Sequence, residues 1–387
     1  MDTERFPLGL NGEPDAGEAS PRAETWDRDA ERPAPVFELS VIIPARNEEQ
    51  NLPGCLASLL AQDDAVMFPL GREWELIVID DDSTDGTRAI MEDAAAQHAG
   101  VTVLSAPPLE LRATQRAFTG KTNACWAGAQ ASRGRWLLFT DADTLHEPGD
   151  IVRALHEAKK HGAALLSYSP RQIVSGIAQR MLMPLVFSEL AAVYPSAQVN
   201  DPKTRIAAAN GQFVLVERAA YFAAGGHRMV GKSVLEDVDL AFNIKRAGVK
   251  SGRGIRFRYA PDALSTRMYR GFGDMVEGWS KNLALLFPHA LTLAAWRLLD
   301  ILLLLLPVLL FVMPHLILWQ QVAIVLLWLR TLFRFYRRVA RSNFPFADCA
   351  VSVFGLPLFI VLLVRSWLNH KVFHQVAWKG REYRTGR

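Results

Sequence analysis

Short β-branched runs alternate with helical periods from Leu39 to Gly162, and three of those runs end in polar or acidic side chains. "LSVIIPARNEE" starts as a buried strand that stops at Pro44, and "NLPGCLASLLAQ" has the apolar spacing of a helix with Pro53 near its first turn. "WELIVIDDDSTDGT" is a second strand, and "TRAIMEDAAAQHA" is a helix that the preceding Ser/Thr/Asp cluster can cap. "VTVLSAP" is a third strand, "KTNACWAGAQAS" a helix of small residues, "RWLLFTDADT" a fourth strand and "PGDIVRALHEAKKHG" another helix. This order predicts an α/β fold with a mostly parallel sheet covered on both faces. Ligands of such sheets bind beyond the carboxyl ends of the strands. There this chain places Asn47 and Glu48, then Asp80, Asp81 and Asp82, then Asp141 and Asp143.

The remainder is less regular until an apolar region begins after Ala294. "AALLSYSP" and "GQFVLVER" read as strands, and "IVSGIAQRMLMPLVFSELAAVYP" as an amphipathic helix lying on the domain or on a membrane surface. Leu298–Leu329 contains one charge, Asp300, and exceeds the ~20 residues of a single span. It reads as one or two membrane segments with a break near Pro314 and His315. Ala347–Leu368 is a further segment, interrupted by Pro357 and Arg365. "RTLFRFYRRVARSN" and the C-terminal "KVFHQVAWKGREYRTGR" are basic, and the positive-inside rule puts both in the cytoplasm. A hairpin of two spans, with the last segment re-entrant or interfacial, satisfies that rule. Residues 1–36 are polar, lack an apolar h-region and read as a disordered tail, which leaves the first large domain cytoplasmic. A net charge of +3 gives no reason to expect a nucleic-acid partner. Cys55, Cys125 and Cys349 are far apart with no CxxC pattern, against a disulfide framework or a zinc site.

The acidic strand ends carry the chemistry. Two carboxylates one residue apart, Asp141 and Asp143, repel unless a cation lies between them. Such a pair suits a hard divalent ion shared with substrate phosphates. Taken alone, D-x-D equally serves a turn, with Asp141 capping a helix and Asp143 facing water. Lys121 follows Gly120 at a helix start, a place suited to phosphate. No G-x-G-x-x-G or Walker A pattern stands at the first strand–helix turn, which disfavours dinucleotide and P-loop readings. Glu236 and Asp237 open a helix, where the dipole favours carboxylates, and His227 in "AGGHR" reads equally as packing or as a substrate contact.

"VIIPARNEE", "VIDDDSTDGT", "TDADT" and "LEDVDLA", in this order, resemble a family 2 glycosyltransferase with the GT-A fold, over about residues 39 to 290. "GKTNACWAG", "AAGGH", "RMYRGFGDMVEGWSKN" and "WKGREY" are further similar to bacterial membrane-bound hopene-associated and diaponeurosporenoate-type carotenoid glycosyltransferases. The resemblance implies that Pro44, Arg46, Glu48, Asp80 and Asp81 lie around the nucleoside of a sugar nucleotide. It implies that Asp141 and Asp143 hold Mg²⁺ or Mn²⁺ on the diphosphate, near Lys121. It makes Asp237 the general base on the acceptor, with Glu236 beside it. The family's Q-x-x-R-W region reads "VEGWSKN" here, with Trp279 and Lys281 as replacements for its stacking and cationic roles. That departure argues against a processive polysaccharide synthase.

Glycosyl transfer needs a stabilised leaving diphosphate, a base for the attacking hydroxyl and polar groups around the sugar. The loop residues Asn210, Gly211 and Gln212 suit the last role. The expected layout is a tail over 1–36, a GT-A domain over 37–290, membrane-embedded helices over 291–370 and a basic tail over 371–387. The expected activity is inverting transfer from a nucleotide sugar, UDP-linked, to a lipid-like acceptor at the cell membrane. Its rivals are a processive polysaccharide synthase and a non-catalytic scaffold on a transferase fold.

Overall fold

The computed structural model describes residues 35–384 except 65, 110–117, 249–251, 314 and 379–380, so the expected tail over 1–36 lies almost wholly outside the described residues. The chain forms two compact units. One uses the residues up to Gln172 together with Ser196–Arg267, and the other uses Ile173–Pro195 together with the chain from Met268.

The first unit begins β1 (Phe37–Ala45), α1 (Leu52–Leu60), β2 (Trp74–Asp80), α2 (Thr87–Gln97), β3 (Val101–Ser105) and α3 (Gly120–Ala131). It continues with β4 (Gly134–Phe139), β5 (Thr144–His146), α4 (Asp150–Lys160), β6 (Leu165–Ser169) and β7 (Arg171–Gln172). After α5 (Gly176–Val193), which belongs to the other unit, come α6 (Ser196–Val199), β8 (Val214–Glu217), α7 (Arg218–Ala223) and α8 (Gly226–Met229). The unit closes with α9 (Glu236–Gly248), β9 (Ile255–Tyr259) and β10 (Leu264–Thr266).

Its main sheet has the order β3-β2-β1-β4-β8-β6-β9. β1 runs parallel to β2 and β4, β2 to β3 and β6 to β9, while β8 is antiparallel to β4 and β6. The apolar runs do not alternate with polar residues because both faces are covered. Leu39, Val41, Ile43, Leu76 and Val78 enter one buried cluster. The intervening Ile42 and Ile79 face α3, whose small residues allow close approach: a Cβ on Gly128 would lie 2.6 Å from Ile42 Cγ2 and 2.8 Å from Ile79 Cδ1. Each buried Ile or Leu contributes about 1.5–3 kcal/mol relative to exposure.

Two strand ends differ from the expectation. β1 runs on through Pro44 to Ala45. Pro44 falls beyond the last β1–β4 pair, Ile42 with Phe139, so its missing N–H removes no ladder bond there. The expected fourth strand stops at Phe139, and the D-x-D lies in the turn that follows. The Thr140 N–H still donates to Ile42 O at 3.2 Å, and the Thr144 N–H donates to Asp141 O at 3.1 Å. Beyond that turn the chain joins a second, three-stranded sheet of order β5-β10-β7. Asp141 and Asp143 therefore sit where the chain changes sheets.

The second unit is helical. Besides α5 it contains α10 (Phe272–Leu286), α11 (Ala290–Leu304), α12 (Val308–Val312), α13 (Leu318–Val339), α14 (Phe346–Val351) and α15 (Leu356–Leu368). A short antiparallel pair, β11 (Gln375–Trp378) with β12 (Arg381–Arg384), follows. The contacts thus group α5 and α10 with the apolar helices, in the unit that takes in the chain from Met268. Gly176–Val193, Ala290–Leu310 and Phe346–Phe373 are long and apolar enough to cross a membrane, with mean hydropathy 1.2, 2.2 and 2.3. The break expected near His315 falls between Val312 and Leu318; Pro314 itself lies outside the described residues.

Candidate active site

At the carboxyl edge of the main sheet, Lys121, Asp141, Gly211, Glu236 and Asp237 line one small pocket that opens to solvent, with Pro44 on its wall. Three segments far apart in sequence supply the charges. Thr119 caps α3 by accepting a bond from the Thr122 N–H, and Lys121 leaves the first turn of that helix. Asp141 comes from the turn after β4, and Glu236 and Asp237 open α9.

Lys121 Nζ lies 2.9 Å from Asp141 Oδ1 and 2.9 Å from Glu236 Oε1. Burial opposes its charge, yet the fields of Asp141 and Glu236 outweigh that cost and hold the ammonium pKa well above the usual lysine value. Asp141 has the opposite balance. Burial raises its pKa, and Lys121 only partly restores the charged form. Among the described residues Asp237 is held by backbone: the Gly211 N–H donates to Oδ2 at 2.8 Å and the Val238 N–H to Oδ1 at 2.9 Å. Burial first and the adjacent Glu236 second push its pKa up to about 7. A carboxylate so placed exchanges a proton near neutrality, which suits a base. Gly211 admits the arrangement by lacking a side chain, because a Cβ there would lie 3.0 Å from Lys121 Nζ and 3.5 Å from Asp237 Oδ2.

A second group of expected residues holds the rim together. The Arg46 guanidinium donates to Asp81 O at 2.6 Å and to Asp82 O at 2.8 Å. Asp80 Oδ1 accepts from the Ser83 N–H at 3.1 Å. The Glu48 N–H donates to Thr87 Oγ1 at 2.8 Å, and Glu48 Oε2 accepts from Asn51 Nδ2 at 2.7 Å. Asn47 at φ 52° and Asp82 at φ 60° adopt left-handed conformations at the apices of these loops. Arg46 thus ties the β1 loop to the β2 loop, and Asp80 braces the β2 loop from within. Glu48, Asp141 and Asp143 remain close enough that all three raise the pKa of the Cys55 thiol beneath them, although burial is the main cause.

Other expectations change. Trp279 is 3 % exposed in the core of the helical unit, edge-on to Phe187 and to Tyr269. Its ring has no free face for a base, so the stacking role is withdrawn. Lys281 lies on the same helix, where its carbonyl pairs with His370 Nε2 at 2.6 Å. Gln212 turns away from the cavity to Thr266 Oγ1, at 3.1 Å. His227 lines the same cavity, packed against Phe139 with Nδ1 2.8 Å from the Tyr221 hydroxyl, and burial lowers its pKa to about 4. One support escaped the sequence reading. His146 Nδ1 lies 2.7 Å from Asp150 Oδ2 and Nε2 lies 3.1 Å from Thr140 Oγ1, fully buried beneath the D-x-D turn. The signal was present as His and Asp four apart across a helix start.

Lys121, a part-exposed cation between Asp141 of the turn after β4 and Glu236 at the start of α9, stands at the carboxyl edge of a mostly parallel sheet, and the α/β fold is of the GT-A type. Residues 40–228 match the family model described as Glycosyl transferase family 2, and the chain carries a glycosyltransferase domain of that family. Over most of its length it is similar to 4,4'-diaponeurosporenoate glycosyltransferases. It is 27% identical over 377 residues to that of Staphylococcus haemolyticus, covering 89% of this chain and 88% of the relative. It is 26% identical over 355 residues to that of Staphylococcus aureus, with coverage of 89% and 88%. Among solved structures it shares its fold with the mannosyltransferase PcManGT from Pyrobaculum calidifontis in complex with GDP-Man and Mn²⁺. That likeness has a TM-score of 0.51 at 17% identity and covers 88% of each chain.

Proposed function

We propose that this glycosyltransferase moves a sugar, with inversion, from a nucleotide-sugar donor to a lipid-like acceptor at a membrane, and that the donor is UDP-linked. The observation that carries the reading is Asp237, a base poised near neutrality beside the Lys121 cation. The acceptor oxygen attacks the anomeric carbon, the bond from that carbon to the diphosphate oxygen breaks, and the acceptor proton passes to Asp237. Lys121 faces the departing diphosphate as a fixed positive charge. Glu236 holds Lys121 in place and keeps the pKa of Asp237 high. Pro44, Glu48 and Asp81 border the nucleoside, with Arg46 and Asp80 setting their loops.

The donor set fits a divalent cation of the Mg²⁺ or Mn²⁺ type. Asp141 and Asp143 are hard oxygen ligands, and Asp141 carries a charge that burial disfavours. Among the described residues no three ligating side chains converge, which suits an ion that shares its shell with substrate phosphates. When bound, such an ion neutralises the diphosphate as it leaves. The complex of the mannosyltransferase with GDP-Man and Mn²⁺ supports both cofactor and donor class. The relatives' name supports a carotenoid-type acceptor, among isoprenoid, hopanoid or carotenoid lipids, and the base role of Asp237 applies to an acceptor hydroxyl.

The test is a screen of purified protein against nucleotide sugars, with Mg²⁺ or Mn²⁺ and a lipid extract as acceptor, read by mass spectrometry. A single-sugar lipid adduct from a UDP-sugar is expected. Transfer from a GDP-sugar only would overturn the donor assignment, and a polymeric product would overturn the acceptor class.

A further inference from the structure

Ile301–Leu329 contains no Asp, Glu, Lys or Arg, and within it the chain turns back between α12 and α13. Its large apolar side chains are unusually open: Leu305 is 55 %, Val312 70 %, Leu318 75 % and Trp319 66 % exposed. Water is a poor solvent for so large a continuous apolar surface, which therefore has an apolar partner.

The charges that bound this stretch lie in two groups. On one side, Asp300 Oδ2 is 2.8 Å from both Arg297 Nη1 and Arg338 Nη2. Glu189 Oε1 lies 3.4 Å from Arg297 Nη1 and 3.5 Å from Arg338 Nε. This quartet joins α5, α11 and α13 and fixes where the hairpin leaves the rest of its unit. On the other side, Arg330, Arg334 and Arg337 recur on α13 at spacings of four and three, which places them on one helical stripe, and Arg341 follows in the short turn after that helix. All four are exposed, and none forms an ion pair among the described residues. The opposite stripe of α13, Thr331, Phe335 and Val339, is buried in the core of the unit.

Length decides what this shape can do. Leu318–Leu329 is about 18 Å of helix at ~1.5 Å per residue, against a hydrocarbon core of ~30 Å. The charge-free part of the first arm, Ile301–Val312, is no longer. Ala290–Leu310 is apolar enough to span when counted alone, but its first half carries Arg297 and Asp300, and Asp300 is ion-paired with Arg338 at the far end of α13. Crossing would draw that quartet or the arginine stripe into hydrocarbon, where each charge is costly.

We propose that Ile301–Leu329 enters and leaves a membrane from the same face, reaching a single leaflet, and that the arginine stripe of α13 engages the phosphates of anionic phospholipids on that face. The stripe lies where an apolar helix half gives way to a cationic one, the level of the headgroups. The proposal does not depend on sugar transfer, and its tests need none.

The full-length protein in sealed vesicles is given one new cysteine, Leu318→Cys or Met313→Cys, and treated with a membrane-impermeant maleimide from each side in turn. Protection from both sides is expected, with Trp319 fluorescence quenched by lipids brominated along their acyl chains. Labelling from the face opposite the catalytic domain would overturn the single-leaflet hairpin. Separately, purified protein is floated with vesicles of phosphatidylcholine alone and with added phosphatidylglycerol. Replacing Arg330, Arg334, Arg337 and Arg341 together by Gln should weaken recovery on the anionic vesicles about tenfold or more, with little change on the neutral ones. The matching Arg→Lys variant should keep the wild-type preference. Equal loss on both vesicle types, or no loss in the Gln variant, would overturn the headgroup assignment.

Discussion

Asp237→Asn and Glu236→Gln, measured across pH, examine the proposed base most directly. Asp237 accepts bonds from the Gly211 and Val238 N–H groups, one on each oxygen. An Asn amide turns one of those acceptors into a donor facing another donor, which costs about 1–3 kcal/mol of local stability. The fold should survive that loss. Catalysis should fall much further, by roughly 10²–10⁴, because the acceptor proton has no recipient. Donor affinity should stay near wild type, since the Lys121–Asp141–Glu236 contacts remain. In the wild type, transfer requires Asp237 deprotonated, so kcat/KM should drop as pH falls through about 7. Burial and the Glu236 charge both hold that pKa up, and Glu236→Gln removes the second cause. A neighbouring like charge usually raises a carboxyl pKa by about 1–3 units, and one unit is about 1.4 kcal/mol. The acid limb of Glu236→Gln should therefore move down by about one pH unit or more. The assay is initial-rate transfer with the best donor from the screen, with circular dichroism to confirm folding and calorimetry for donor binding. Full activity in Asp237→Asn, or an unmoved acid limb in Glu236→Gln, would falsify the assignment.

Gly211→Ala should push Lys121 off its carboxylates, because the added Cβ would sit 3.0 Å from Nζ; we expect about a tenfold or greater fall in kcat/KM with an unchanged melting temperature. Lys121→Met should raise the donor KM and leave Asp141 and Glu236 uncompensated; isothermal titration with the donor diphosphate measures the loss. Stripping divalent ions with EDTA should abolish transfer, and Mn²⁺ or Mg²⁺ should restore it in the same preparation. Asp150→Ala removes the partner of the buried His146 and should destabilise the α/β unit by about 1–3 kcal/mol, readable in urea melts.

The α/β alternation was legible because buried parallel strands leave uninterrupted apolar runs, as in "VII" and "LIVI", and their neighbouring helices carry a 3.6-residue period. Most helix and strand positions followed from that contrast. The end of the fourth strand did not. No Gly or Pro marks its end in "LLFTDADT", and it is the transfer of Thr144–His146 into a second sheet that accompanies the stop at Phe139. Trp279 was misread for a related reason: an aromatic beside a lysine has the same composition in a stacking site and in a helix core, and only its contacts with Phe187 and Tyr269 tell them apart.

The sequence by itself determined the chemical inventory: carboxylates at three strand ends, a lysine at a helix start, an acidic pair opening a later helix and a long charge-free apolar stretch. Those are properties of residue type and short spacing. Tertiary structure alone decided which of them meet. Lys121, Asp141 and Glu236 are brought within 2.9 Å contacts by the parallel sheet, whose strand ends share one edge however far apart they lie in the chain. It also decided that Arg46 binds the neighbouring β2 loop while Asp80 binds its own, and that a backbone N–H from Gly211 holds Asp237. Proton affinity and charge pairing depend on distances through space, and those are set only when the sheet closes its edge.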